Sequence, residues 1–122
     1  LQYYNSIEKG QRMKLVNGYL GQDLQLEGSI SSKDSIRIDG SYVGSIASKH
    51  MVIVGTSGKV KGQIDAPVIQ VDGWVEGDLK ATKLVEVLSK ARVKGKIITP
   101  VGGIKLKIGS VFIGSFIMKK IV

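Results

Sequence analysis

The chain has 122 residues, 16 of them glycine and only two proline, with no cysteine, one histidine and a net charge of +8. That length suggests a single domain. The composition excludes disulfides, thiolate metal sites and His-rich metal sites, and a disordered or collagen-like tract would carry far more proline. No apolar run approaches the ~20 residues a membrane-spanning helix needs, and no basic, apolar and small-residue succession marks a signal peptide. The absence of cysteine fits the cytosol. Val and Ile together number 29 against nine Leu, which favours strands, because β-branched side chains suit a pleated surface.

Residues 1–20 show neither a helical period nor the pattern that follows. Tyr3, Tyr4, Ile7, Met13, Leu15 and Val16 are read as a cap over one end of the domain or as a flexible arm. From residue 21 a repeat takes hold. Its clearest copies are Gly58-Lys-Val-Lys-Gly-Gln-Ile64 and Gly73-Trp-Val-Glu-Gly-Asp-Leu79, and weaker ones are Leu26-Glu-Gly-Ser-Ile30, Tyr42-Val-Gly-Ser-Ile46, Val93-Lys-Gly-Lys-Ile97 and Phe112-Ile-Gly-Ser-Phe116. The central glycines Gly28, Gly44, Gly62, Gly77, Gly95 and Gly114 follow at steps of 16, 18, 15, 18 and 19 residues. The flanking apolar residues, four apart, share one face of an extended chain.

Further apolar pairs are read as inward: Val43 and Ile46 within the Tyr42–Ile46 unit, and, between units, Ile36 and Ile38, Val52 and Val54, Ile69 and Val71, Val85 and Val87. Ile104, Leu106 and Ile108 alternate with Lys105 and Lys107, apolar in and charged out. Val111, Ile113 and Phe116 close the pattern, with the parity at Phe112 and Ile113 left open. Such strands are too close together for crossover helices. The predicted fold is therefore all-β and single-domain: a parallel β-helix, or β-solenoid, of about six coils with a triangular section. Coils stacked about 4.8 Å apart would make a rod roughly 25–30 Å long. The predicted organisation is an arm or cap at 1–20, the β-helix at 21–118 and a short basic tail at 119–122.

The runs Ile36-Arg-Ile-Asp-Gly40, Val43-Gly-Ser-Ile46, Gly58-Lys-Val-Lys-Gly62, Val71-Asp-Gly-Trp-Val-Glu-Gly-Asp-Leu79 and Val93-Lys-Gly-Lys-Ile97 closely resemble the bactofilins, over about residues 20–116. The resemblance implies a right-handed coil and a cytoskeletal scaffold that polymerises without nucleotide. It also implies a cytoplasmic location with association at the inner face of the cytoplasmic membrane. Its implied role is to organise cell shape and envelope growth, with peptidoglycan synthases and hydrolases as partners. Neither a catalytic function nor a cofactor is expected.

The residues bear on function in their own right. A solenoid ends in an unpaired coil that can template another chain, and Phe112, Phe116, Ile117 and Met118 are the candidate polymerisation interface. All of the charge surplus falls after residue 77, where ten basic residues face only Asp78 and Glu86. Trp74 with Lys94, Lys96, Lys105 and Lys107 is a candidate lateral or partner surface. The alternative function is a monomeric binding module for an acidic polymer or membrane surface. Nucleic acid is disfavoured, because no aromatic residues are interleaved with these lysines. A catalytic reading of Asp39, Asp65, Asp72 and Asp78 is weaker than one in which Asp39-Gly40 and Asp72-Gly73 are turns. An acyltransferase on a hexapeptide-repeat solenoid would need a strict six-residue period and a catalytic histidine. The uneven steps and the lone His50 argue against it.

Overall fold

In the computed structural model the chain is described at residues 12–15, 18–22 and 24–119. Among the described residues eleven strands follow one another without a helix: β1 (Arg12–Leu15), β2 (Gly18–Leu20), β3 (Gln25–Ser32), β4 (Ile36–Ile38), β5 (Ser41–Ser48), β6 (Met51–Val54), β7 (Lys59–Val71), β8 (Trp74–Val87), β9 (Arg92–Pro100), β10 (Ile104–Leu106) and β11 (Val111–Lys119). Every pairing between them is parallel. Parallel neighbours with no crossover helix require the chain to wind, each coil laying its strands on the coil before, and the result is a β-solenoid of about six turns. Two ladders run along it. One joins β1, β3, β5, the first half of β7, the first half of β8, β9 and β11; the other joins β2, β4, β6, the second halves of β7 and β8, and β10.

Gly28, Gly44, Gly62, Gly77, Gly95 and Gly114 lie in register with one another. Each has a φ between +127° and +148°, outside the range of an L-residue in a strand. Each coil is thereby divided into a first side before the glycine, a second side after it, and the short run of the other ladder as a third. There is a second reason for glycine here. A Cβ on Gly44, Gly62, Gly77, Gly95 or Gly114 would fall on the carbonyl oxygen of the glycine one coil below.

The uneven steps have a simple cause. Turns between the third side and the next coil contain either two residues (Asp39-Gly40, Asp72-Gly73) or four (55–58, 88–91, 107–110). The four-residue turns close with an N–H to C=O bond, as from Gly58 to Gly55 (2.8 Å) and from Ala91 to Leu88 (3.0 Å). The register between β7 and β8 shifts at Ala66/Val68, around Pro67, so that coil is one residue shorter; the loop from Thr99 to Ile104 is one residue longer than its counterpart from Ala81 to Val85. These differences account for 16, 18, 15, 18 and 19.

Inward residues stack into columns, among them Leu26-Tyr42-Val60-Val75-Val93, Ile30-Ile46-Ile64-Leu79-Ile97 and Ile38-Val54-Val71-Val87, all buried. A single coil could not bury its apolar residues, so the column is the stabilising unit. The inward residue of β5 is Tyr42, not Val43, which is 46% exposed. Alternation requires this, since Tyr42 and Ile46 are four apart. The tyrosine is accommodated because its hydroxyl lies 2.6 Å from Gly28 O and 2.8 Å from Ser45 O. The expected alternation holds at Ile104, half-buried against the core, but fails as burial at Leu106 and Ile108. Leu106 stacks in register over Val87 but no coil among the described residues covers it, and Ile108, 98% exposed, lies in the turn beyond the strand.

Strands β1 and β2 pair with β3 and β4, so regular stacking already includes stretches before residue 21. The remainder of the expected arm or cap, and residues 120–122 of the expected tail, lie outside the described residues. Among the described residues no helix is long and apolar enough to cross a membrane.

Candidate assembly surface

The last coil, β10 and β11, pairs on one side only: β10 with β8 and β11 with β9. The opposite edge of the nine-residue β11 therefore presents backbone N–H and C=O groups with no strand beside them among the described residues. In register, Phe112 lies over Val93, Phe116 over Ile97 and Met118 over Thr99. Together with Leu106 over Val87, these four continue the inward columns by one further layer.

The layer carries two aromatic rings where the coil directly below has Val93 and Ile97. The rings of Phe112 and Phe116 stack with centroids 4.2 Å apart and planes 30° from parallel. Phe112 packs partly against the core, whereas Phe116 is 42% exposed and Met118 is exposed as well. Ile117 has the opposite parity: it stacks over Ile98 and points outward. Of the candidate interface, then, Phe112, Phe116 and Met118 lie on the open end of the core and Ile117 lies on the outer surface. Leu106 belongs with the first three and was missed by sequence reasoning. Its place is fixed by the Lys105/Lys107 alternation, but the sequence does not say that the coil above is absent. Eight of the ten exposed large apolar residues among the described residues occur at or after Val101.

The second candidate surface is distributed. Trp74 and Lys94 project from the first side, Lys96 lies just past the glycine on the second side, Lys105 is on β10, and Lys107 is in the turn that follows. Trp74 stands in register between Lys59 and Arg92. No residue after Glu86 is acidic, so the open end lies in the basic part of the rod. Among the described residues no group of three or more His, Cys, Asp and Glu side chains could hold a metal ion. His50 is exposed in a turn, with its backbone N–H donated to Ser48 Oγ at 3.0 Å. Asp72 Oδ1 accepts from the Lys90 N–H at 3.1 Å, a turn role, and Asp39 pairs with Arg37 at 3.0 Å.

A family model described as Bactofilin, polymer-forming cytoskeletal, matches residues 18–116. Neither the curated proteins nor the solved structures searched contain a match to the chain.

Proposed function

The chain belongs to the bactofilin family of polymer-forming cytoskeletal proteins, and from that premise we propose that it assembles into filaments by end-to-end stacking of solenoids, with the coil of β10 and β11 as one of the stacking surfaces. The observation that carries this reading is that Leu106, Phe112, Phe116 and Met118 extend the inward columns into a layer that no coil among the described residues covers. A further coil, supplied by another copy, would complete the ladder and cover this layer by the same two means that join coils within the chain. Neither step needs nucleotide hydrolysis. The resemblance carries the rest of the reading: a cytoplasmic scaffold organising cell shape, contact with the inner face of the cytoplasmic membrane, and peptidoglycan synthases or hydrolases as partners.

The test is assembly of Phe116→Arg and Phe112→Arg, each placing a cation on the open layer. The expected outcome is a chain with an unchanged β spectrum that no longer forms filaments; filaments that persist in both variants would remove this interface. A monomeric binding module for acidic polymers is the second reading, favoured by the lack of acidic residues after Glu86. It requires a monomer that binds anionic polymer with steep salt dependence.

A further inference from the structure

End-to-end stacking leaves one side of the rod unaccounted for. The outward positions of the first side form two columns. One runs Gln25, Ser41, Lys59, Trp74, Arg92, Val111, and the other Glu27, Val43, Lys61, Glu76, Lys94, Ile113. Four of the exposed large apolar residues lie here, namely Val43, Trp74 (37% exposed), Val111 and Ile113 (61%). A coil added to the end of the rod would cover inward groups and leave these outward ones in water. Charge on this side is banded: Lys59 and Lys61 in one coil, Trp74 and Glu76 in the next, Arg92 and Lys94 in the third. Lys61 and Glu76 are register partners, yet the only side-chain ion pair among the described residues is Arg37–Asp39.

We propose that this side is a lateral contact with a second copy of the chain running antiparallel, related by a two-fold axis between the coils of Lys61 and Glu76. Three arrangements can be compared. Two parallel rods joined by a two-fold along their length would place Lys59 against Lys61 and Arg92 against Lys94, which is repulsive. Antiparallel rods with the two-fold through the Glu76 coil would oppose Glu76 to Glu76 and Lys61 to Lys94. The two-fold between the coils opposes Lys61 to Glu76 and Lys59 to Trp74, each twice by symmetry. It also sets Arg92 against Ser41 and Lys94 against Val43, so no like charges meet. A shift of one further coil, opposing Glu76 to Lys94, is equally free of repulsion but overlaps fewer coils. Like-charge juxtaposition discriminates strongly between such alternatives, and a cation over the indole face is favourable.

The size of the contact sets its role. Six coils about 4.8 Å apart and about three residues wide form a strip well below the roughly 800 Å² per partner of a standard interface. One pair of rods therefore associates weakly. Copies aligned along two filaments multiply the contact without new chemistry. The inference thus rests on the filament reading, and its product is a bundle of antiparallel filaments.

The experiment is differential sedimentation with negative-stain microscopy of the wild-type chain, Glu76→Lys, Lys61→Glu and the double exchange Lys61→Glu/Glu76→Lys. Low-speed pellets report bundles and high-speed pellets report single filaments. The expected result is that each single variant loses at least most of the low-speed pellet, keeps the high-speed pellet, and is rescued by the double exchange, which restores opposite charges across the two-fold. Bundling that survives both single changes, or a double exchange that fails to restore it, overturns the proposal. A wild-type chain with only single filaments also overturns it. A chain with no filaments at all contradicts the filament reading itself.

Discussion

At the scale of single residues the rod depends on positions where a side chain cannot be tolerated. Gly62 combines φ +141° with a Cβ site on the Gly44 carbonyl oxygen. Both the conformational cost and the clash oppose substitution. Gly62→Ala is expected to cost about 3 kcal/mol or more, combining the strained backbone with displaced packing. Gly102→Ala is the control. Its φ is +81° but nothing lies within 4 Å of the Cβ, so only the left-handed penalty of about 1–2 kcal/mol applies. Urea unfolding of the two variants separates these cases, and equal losses would contradict the clash.

Tyr42 gives a second test at this scale. Burial pushes its hydroxyl well above the ordinary value of 10. The folded chain therefore keeps a proton that the unfolded chain releases above about pH 10. Unfolding above that pH therefore releases a proton, and stability falls as pH rises beyond that point. Tyr42→Phe is expected to flatten this alkaline loss while costing about 0.5–1.5 kcal/mol at neutral pH, where the single hydroxyl proton no longer serves the carbonyl oxygens of Gly28 and Ser45. Unfolding midpoints at pH 7 and above pH 10 check both. An unchanged alkaline slope would show that other groups control it.

At the scale of elements, the repeat made most of the fold legible. Apolar residues four apart around a glycine fixed the inward set from Val60 to Ile97, because parity in a strand leaves no alternative. Two features were not legible for physical reasons. The first is how a tyrosine fits the column: the four-residue spacing to Ile46 already turns Tyr42 rather than Val43 inward, but the partners of its hydroxyl, the carbonyl oxygens of Gly28 one coil below and of Ser45, are brought near only by the winding. Leu106 and Ile108 fit the alternation perfectly, yet burial of Leu106 depends on whether another coil follows, which periodicity does not report, and Ile108 falls in the turn beyond β10. The same reasoning explains β11. The sequence offers Phe112 and Phe116 as interface candidates, with the parity of Phe112 left open; both continue core columns, in a layer that no coil among the described residues covers. An inner-column substitution should behave differently from one at this end. Ile64→Ala, at a fully buried site in the middle of the rod, is expected to cost about 2–5 kcal/mol. Phe116→Ala, with its ring partly in water, should cost less in stability but more in assembly. The reverse order in thermal unfolding would indicate that Phe116 is ordinary core.

At the scale of the whole molecule, two kinds of surface coexist on one rod. The end is apolar with open backbone edges, and it suits a ladder continued by another copy. The first side is banded in charge and suits weak, register-specific contact between rods. The two respond oppositely to salt: Lys61–Glu76 pairing weakens as the Debye length falls to about 8 Å at 0.15 M ionic strength, whereas burial of Phe116 and Met118 does not. Bundles are therefore expected to dissolve into single filaments before filaments dissolve into subunits.

The most direct measurement is negative-stain microscopy of the purified chain without nucleotide across a range of salt. Filaments that form without nucleotide and persist at high salt are the expected result. A monodisperse population of single rods under every condition would contradict end-to-end assembly through the coil of β10 and β11.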